Sequence, residues 1–256
     1  MEKRNLPVAV FDSGVGGISV LREMVRLMPE EDFYFFGDSI NAPYGTKTQE
    51  EICRLTLQHV ARMAEKGIKG IVIACNTATS ASIGRLREIY TEIPVVGIEP
   101  ALKPAVMEKK GAKVLVLATP MTVQGTKFRD LAAKYQEQAT ILPVGCPGLM
   151  EFVEEGKLEG EEVEKYLKNL LFPYLSGGID AVVLGCTHYP FLKRAIARVL
   201  GPGPHIIDGS EGTGRELQRR LREMNLLTDR TKPGTVFFEE SIPEKIGLCS
   251  FLMKCE

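Results

Sequence analysis

The stretch AVVLGCTHYP (residues 181–190) brings three chemically active side chains to the end of an apolar run. Cys186 follows five apolar or glycine residues, and Thr187 and His188 come directly after it. A thiolate can act as a base, a nucleophile or a metal ligand, and an imidazole beside it favours its formation. A lone histidine is more often structural, and Cys-x-His could also supply two ligands to zinc. Taken alone, the stretch leaves acid–base, redox and zinc chemistry open.

A second stretch, GIVIACNTATS (residues 70–80), repeats this arrangement earlier in the chain. Cys75 follows a similar apolar run, and the next residues, Asn76 and Thr77, are of types that commonly cap helices. We therefore expect Cys75, and likewise Cys186, at a strand end just before a helix N-terminus, where the helix dipole favours a thiolate. A buried cysteine without a role is an equally good interpretation of this stretch alone. Zinc is disfavoured, because the sequence has no Cys-x-x-Cys and no second compact pair of ligands.

A glycine-rich turn follows the first apolar run, in FDSGVGG (residues 11–17). It departs from the G-x-G-x-x-G motif because Ser19 stands at the last position, so dinucleotide binding is disfavoured. We expect Asp12 at the carboxyl end of a strand, as an acid or as a partner for a substrate amine. Capping of a helix by Asp12 together with Ser13 is an equally good interpretation.

Two further segments carry candidate residues. GDSINAPYGTKT (37–48) contains a tight turn at Tyr44 and Gly45 whose backbone N–H groups could receive a carboxylate. An ordinary turn with a packed tyrosine is the simpler interpretation of that segment. CPGLMEFVEEG (146–156) mixes three glutamates with apolar residues, and this spacing predicts that one glutamate faces inward.

Eight apolar, β-branched runs, separated by helix-like patterns, position these residues. The runs are VAVF, FYFFG, GIVIA, VVG, KVLVLAT, ATILPVG, AVVLG and HIID. Residues 50–66 and 211–225 have helical periodicity, and Gly67 is a plausible stop for the first of these helices. Continuous apolar strands that alternate with helices predict an α/β fold with mainly parallel sheets.

We predict two pseudo-symmetric α/β domains, one formed by residues 1–97 plus 208–256 and the other by residues 98–207. Proline- and glycine-rich segments lie at both places where the chain passes between the domains. The first domain carries Cys75 and the second carries Cys186, and the repeated strand–cysteine–threonine pattern supports the two-fold organisation. Because ligands bind beyond the carboxyl ends of strands in open α/β sheets, we expect both thiols at one active-site cleft.

The composition argues against a nucleic-acid-binding protein and against a membrane protein. The 32 basic and 33 acidic residues leave a net charge of −1, which argues against nucleic acid as the main partner. No apolar run reaches the roughly 18 residues that a membrane helix needs, and the N-terminus does not resemble a signal peptide. We therefore expect a cytoplasmic protein without membrane contact, with reduced cysteines. Four cysteines are interpreted as buried small hydrophobic residues: Cys53, Cys146, Cys249 and Cys255.

Together these stretches resemble the aspartate/glutamate racemase superfamily, which is cofactor-independent, and within it the glutamate racemase branch. The matching pieces run in the family's order from residue 11 to beyond residue 190. They are FDSGVGGISVL, GDSINAPYG, ACNTATS, VVGIEPA, ATPMTVQ, VEEG and GCTHYP. The resemblance implies two α/β domains that face each other across a cleft. It also implies interconversion of L- and D-glutamate with no cofactor and no metal, and D-glutamate that serves peptidoglycan synthesis.

The resemblance assigns the acid/base pair to Cys75 and Cys186. Asp12 is then expected to assist Cys75, and His188, with Glu154, to assist Cys186. The substrate contacts that carry over are Asp12, Ser13, Tyr44, Gly45, Asn76, Thr77, Thr187 and His188. The resemblance further implies a homodimer. The C-terminal tail, FFEESIPEKIGLCSFLMKCE, departs from the family's pattern, which leaves its packing open.

Three other functions remain as alternatives. The first is a racemase of another substrate in the same superfamily, such as aspartate or a hydantoin. The second is a non-catalytic zinc or redox protein that uses the cysteines. The third is an interaction protein that keeps the fold without the activity.

Overall fold

A computed structural model describes residues 2–175 and 177–255 of the chain. The chain forms two compact units, which we call the first unit (Met1–Glu99 with Ser210–Glu256) and the second unit (Pro100–Gly209). Each unit contains its own sheet of parallel strands with helices between them. The predicted α/β class with mainly parallel sheets is confirmed.

Nine strands lie within the described residues, and every strand pair is parallel. The strands are β1 Val8–Asp12, β2 Phe33–Gly37, β3 Gly70–Ile73, β4 Val95–Gly97, β5 Lys113–Ala118, β6 Thr140–Gly145, β7 Ala181–Leu184, β8 His205–Asp208 and β9 Val236–Glu240. The first eight coincide with the eight apolar runs, which confirms those predictions. All residues of β1, β2, β3 and β7 are buried, as expected for strands covered on both faces.

Eleven α-helices lie in the same described part of the chain. They are α1 Ile18–Leu27, α2 Gln49–Glu65, α3 Asn76–Ile89, α4 Leu102–Met107, α5 Pro120–Gln124, α6 Thr126–Ala133, α7 Leu149–Glu154, α8 Glu161–Leu171, α9 Lys193–Leu200, α10 Ser210–Glu223 and α11 Ile246–Leu252. The two helices predicted from periodicity correspond to α2 and α10. None of the helices in residues 2–175 and 177–255 has the length and apolar character needed to cross a membrane.

Helix α2 shows how local sequence sets the ends of an element. The Thr48 hydroxyl accepts a hydrogen bond from the N–H of Glu51 at 3.2 Å, and acidic residues in the first turn favour the helix dipole. The chain leaves the helix at Gly67, whose φ of 79° suits glycine. The predicted apolar face is buried, and its residues are Ile52, Leu55, Val60 and Met63.

The order of strands creates an equivalent position in each unit. The first sheet has the order β4-β3-β1-β2-β9, so the winding direction reverses between β1 and β3. The second sheet has the order β6-β5-β7-β8, so its winding direction reverses between β5 and β7. Ligands of open parallel sheets bind beyond the carboxyl ends of the strands at such switch points. Cys75 follows β3 and Cys186 follows β7, so each unit presents one cysteine at its switch point.

The C-terminal tail completes the sheet of the first unit. Strand β9 pairs with β2 in a register that runs from Phe33 opposite Val236 to Gly37 opposite Glu240. Gly37 permits this contact, because a Cβ atom there would overlap the Glu240 carboxylate. The Sγ atom of Cys249, on α11, lies 3.5 Å from Oε1 of Glu240. Strand β9 was not predicted from the sequence. Its pairing with β2 shows how the divergent C-terminal tail packs.

The cysteines outside the two motifs differ in burial. Cys146 and Cys249 are buried, as predicted, whereas the interpretation is wrong for Cys53 and Cys255, which are partly exposed. No disulfide joins any of the cysteines, all six of which fall in the described part of the chain.

A buried ion pair ties together the amino-terminal ends of the first unit's strands, away from Cys75. Lys69 precedes β3 and Glu31 precedes β2, and their side chains are 0% and 2% exposed. The ammonium of Lys69 contacts the Glu31 carboxylate and the backbone carbonyl of Arg4. The N–H of Thr228 donates to Glu31 at 2.8 Å. Burial lowers the pKa of Lys69, although Glu31 opposes that effect.

Replacement of Glu31 by glutamine should destabilise the protein strongly. Glutamine can still accept from Thr228, but it removes the carboxylate that pairs with the buried Lys69 charge, which costs about 3–5 kcal/mol. Urea unfolding followed by circular dichroism would measure this loss. The matched control is Asp229→Asn, which breaks the exposed pair with Arg4 and should cost less than about 1 kcal/mol. Equal losses in the two variants would contradict the assigned role of the buried pair.

Candidate active site

Asp12 ends β1 at the carboxyl edge of the first sheet, as predicted, and is fully buried. Its Oδ1 atom accepts a hydrogen bond from the N–H of Gly14 at 3.0 Å. The alternative that Asp12 and Ser13 cap a helix is wrong, because the N-cap of α1 is Gly17, which makes no side-chain cap hydrogen bond. Asp12 therefore orders the glycine-rich turn that begins with Ser13.

Cys75 occupies the predicted position between a strand and a helix. It is the N-cap of α3, and its Sγ accepts a hydrogen bond from the N–H of Ala78 at 3.4 Å. The hydroxyl of Ser13 donates to the same sulfur at 3.2 Å. A helix N-terminus and hydrogen-bond donors stabilise the charged form of a thiol. The surroundings of Cys75 therefore favour its use as a base.

Asn76 and Thr77 form the first turn of α3 and are both buried. The amide oxygen of Asn76 makes no hydrogen bond within the described residues. A buried polar atom without a partner is costly, and such atoms are often satisfied by a ligand. Asn76 therefore offers a polar contact directly beside Cys75.

Tyr44 and Gly45 lie in a short 3-10 helix, Tyr44–Thr46, which contacts α3. Tyr44 is buried, its ring centroid lies 6.3 Å from that of Phe11, and its hydroxyl donates to Asp38 at 2.7 Å. The tyrosine is therefore packed, as the simpler interpretation held, and the turn also lies close to the Cys75 motif. Sequence analysis missed Asp38, although it follows β2 just as other candidate residues follow β1 and β3.

Cys186 lies at the equivalent place in the second unit but has different surroundings. The residue before it, Gly185, donates its N–H to the carbonyl of Leu117 on β5 at 2.7 Å. A turn and a 3-10 helix, Tyr189–Leu192, separate Cys186 from α9. The expectation of a helix N-terminus directly after Cys186 is therefore wrong, because the chain needs this turn to bring His188 back to the sulfur.

A cysteine–histidine–glutamate chain replaces the helix dipole at this position. The Sγ atom of Cys186 lies 3.6 Å from Nδ1 of His188, and Nε2 of His188 lies 2.7 Å from Oε1 of Glu154. Glu154 ends α7 and is largely buried, whereas the other two glutamates of its segment, Glu151 and Glu155, are exposed. The prediction that one glutamate of this segment faces inward is confirmed.

Charge on His188 is favoured by its two partners. Burial alone would lower the pKa of this imidazole, but the contacts with Cys186 and Glu154 outweigh it and raise the pKa well above its ordinary value. An imidazolium beside a thiol stabilises the thiolate. Thr187, buried between Cys186 and His188, adds a hydroxyl at the same turn.

A further buried thiol, that of Cys146, lies in the second unit. Its N–H donates to the carbonyl of Ala118 at 2.9 Å, just as the N–H of Asp38 donates to Asp12 at 3.0 Å in the first unit. Burial, together with the proximity of Cys186, raises the pKa of Cys146 to about 12. Cys146 therefore stays a neutral thiol at neutral pH. The described residues contain no group of three or more histidine, cysteine, aspartate or glutamate side chains arranged to hold a metal ion.

The state of His188 can be tested by NMR titration of the three histidines in the chain. We expect His188 to keep its proton above pH ~6.5, and its stabilising effect to be full below that pH and lost as the pH rises through its raised pKa. Glu154→Gln should lower the pKa of His188, because it removes a charged partner. Glu155→Gln, which changes an exposed neighbour, should leave it unchanged. A titration of His188 that is insensitive to Glu154→Gln would contradict the proposed coupling.

Comparisons with known proteins agree with this geometry. The family model for Asp/Glu/Hydantoin racemase matches residues 11–212. A curated glutamate racemase of Clostridium botulinum is 50% identical over 236 residues, which cover 92% of this chain and 92% of that protein.

Solved structures are also similar. Glutamate racemase from Francisella tularensis in complex with D-glutamate has a TM-score of 0.85 and 30% identity, and covers 99% of this chain and 95% of that one. Escherichia coli glutamate racemase in complex with L-glutamate and the activator UDP-MurNAc-ala has a TM-score of 0.85 and 32% identity. The match covers 97% of this chain and 95% of that one. The chain belongs to the Asp/Glu/Hydantoin racemase family.

Proposed function

We propose that this chain interconverts L-glutamate and D-glutamate by proton transfer at Cα. The observation that carries the proposal is the repeated placement of a buried cysteine, Cys75 or Cys186, beyond the switch-point strand of each unit. The relatives with 48% and 50% identity over most of the chain are glutamate racemases, which supports glutamate rather than aspartate as the substrate.

Racemisation requires that a proton leave one face of Cα and that another arrive at the opposite face. Two bases, one for each face, do this without turning the substrate over. In our proposal Cys75 and Cys186 are these bases, one thiolate and one thiol, and they exchange roles when the reaction runs in reverse. An ordinary cysteine is mostly a thiol at neutral pH, so each needs surroundings that favour the thiolate.

Different groups serve this purpose at the two cysteines. At Cys75, the Ser13 hydroxyl and the N-terminus of α3 stabilise negative charge on sulfur. We assign Asp12 to assist proton transfer at Cys75, supported by its burial at the neighbouring strand end. At Cys186, His188 stabilises the thiolate and Glu154 orients and charges His188.

The substrate's charged groups need partners of the kinds found around the two cysteines. A carbanion at Cα is stabilised by preorganised donors on the α-carboxylate, and we assign this role to Asn76, Thr77 and Thr187. The buried amide of Asn76 supports this assignment. We assign the side-chain carboxylate of glutamate to Ser13 and the Tyr44–Gly45 turn. The scheme requires neither a cofactor nor a metal ion.

Further proposals concern the domains, the location, the assembly and the metabolic role of the protein. We propose that the compact units correspond to the predicted domains, residues 1–97 plus 208–256 and residues 98–207. We propose a cytoplasmic homodimer that supplies D-glutamate for peptidoglycan synthesis, without nucleic acid or membrane partners. Sedimentation equilibrium would test the dimer, and a mass equal to one chain at micromolar concentration would contradict it.

Circular dichroism of L- and D-glutamate solutions, without added cofactor, should show interconversion by the purified protein. Cys75→Ala and Cys186→Ala should each reduce the rate at least ~100-fold, because each removes one acid–base group. The matched control is Cys53→Ala on α2, which lies outside both motifs and should keep the rate. Full activity of the Cys75→Ala variant would refute the two-thiol mechanism.

The source of the incoming proton provides an independent test. In deuterated water, each enantiomer should acquire solvent deuterium at Cα as it converts to the other, because thiols exchange with solvent. Mass spectrometry or proton NMR of the product measures this incorporation. Conversion with full retention of the original hydrogen would argue against proton transfer through cysteines.

A further inference from the structure

Asp38 is a buried carboxylate at the same sheet edge as Asp12. It directly follows the last residue of β2, and it is fully buried. Its N–H donates to the carbonyl of Asp12 at 3.0 Å, so the ends of β1 and β2 are joined there. The acid–base scheme proposed above does not use this carboxylate.

Polar groups from the loop that follows β2 and from α2 surround the Asp38 carboxylate. The Tyr44 hydroxyl donates to Oδ2 at 2.7 Å, and the Asn41 amide donates to Oδ1 and Oδ2 at 2.9 and 3.0 Å. On α2, Nε2 of His59 lies 3.1 Å from Oδ2. The His59 ring is held against Phe36, with centroids 4.9 Å apart. Asp38 therefore binds two residues of the loop that follows β2, Asn41 and Tyr44. It also faces His59 on α2.

The charge states of Asp38 and Tyr44 set the direction of the hydrogen bond between them. Burial would raise the pKa of Asp38, but the contacts with His59, Tyr44 and Asn41 outweigh burial and lower it. Burial, followed by the hydrogen bond to Asp38, raises the pKa of Tyr44. Asp38 is therefore a carboxylate and Tyr44 a neutral phenol at neutral pH. The phenol donates to a charged acceptor, which is among the stronger kinds of hydrogen bond.

This hydrogen bond fixes the turn that contains Tyr44 and Gly45. The phenol end is held by Asp38, and the ring packs near Phe11, whose strand leads into Asp12. The turn itself contacts α3, the helix that Cys75 caps. A preorganised turn binds a ligand more tightly than a mobile one, because less conformational entropy is lost on binding.

We propose that Asp38 is a positioning residue for the side-chain carboxylate of glutamate, and that it acts through its hydrogen bond to Tyr44. Asp38 does not touch the substrate. It holds the Tyr44–Gly45 turn in the conformation that receives the carboxylate. This inference rests on the proposed glutamate racemisation, and it adds a residue that selects for a substrate with a second carboxylate.

A double-mutant cycle of Asp38→Asn and Tyr44→Phe would test the inference by steady-state kinetics in both directions. Each single variant should raise the KM for glutamate about tenfold, the size expected for a lost hydrogen bond to a charged group, and kcat should stay within about twofold. The double variant should be no worse than the worse single variant, because both changes remove the same interaction. If Asp38→Asn does not fold, Tyr44→Phe alone still tests the hydrogen bond.

The pattern of kinetic changes separates positioning from a merely structural role. Loss of folded protein would lower the apparent kcat and leave KM unchanged, and that result would overturn the inference. The matched control is Ser241→Ala, which removes the hydrogen bond that the Ile40 N–H, in the same loop but away from Tyr44, donates to the Ser241 hydroxyl at 2.9 Å. Ser241→Ala should change KM less than about twofold. A KM rise as large as that of Tyr44→Phe would mean that general loop order matters, and would overturn the specific role of Asp38.

The wild-type protein distinguishes this inference from the function on which it rests. If wild-type protein does not interconvert the glutamate enantiomers, both the proposed function and the inference are wrong. If it does, and KM is unchanged in Asp38→Asn and Tyr44→Phe, only the inference is wrong. Additive effects of the two substitutions would also overturn it, because they would show that Asp38 does not act through Tyr44.

Discussion

Both candidate sites depend on one backbone constraint, the pairing of two parallel strands up to their carboxyl ends. In the first unit the N–H of Ala74 donates to Phe11 at 2.8 Å, and in the second the N–H of Gly185 donates to Leu117 at 2.7 Å. A Cβ atom at Gly185 would come within 2.9 Å of Ala118, so the close approach requires glycine there. Each cysteine therefore follows a residue whose position is set by main-chain hydrogen bonds. Such a base is more rigid than one carried on a free loop.

The two thiols share this backbone frame but are stabilised by different physical means. Around Cys75 the stabilisation comes from a hydroxyl and a helix N-terminus, which are present at any pH. Around Cys186 it comes from an imidazole whose effect depends on its own proton and on the carboxylate of Glu154. In the proposed mechanism the two thiols, which exchange roles, are therefore controlled separately, one by fixed dipoles and one by a titrating partner.

Two features of the structure could not be predicted from the sequence. A helix N-terminus was expected after Cys186 by analogy with Cys75, but the turn that returns His188 to the sulfur delays the helix until Lys193. Strand β9 was missed because two acidic residues end its short apolar run. Pairing with β2 overrides that pattern, since Glu240 is buried in the space that Gly37 leaves. In both cases a contact with a distant element decided a local conformation.

The sequence by itself determined the fold class, eight of the nine strands within the described residues, two helices and the strand-end positions of Asp12 and Cys75. These features depend on hydrophobic periodicity and on local capping and turn preferences, which short segments carry. The resemblance named Glu154 as the glutamate that acts with His188, and the structure shows their contact; only the tertiary structure decided that Asp38 joins Tyr44 to His59. Those partners lie on separate elements, and packing rather than local propensity brings them within hydrogen-bond distance.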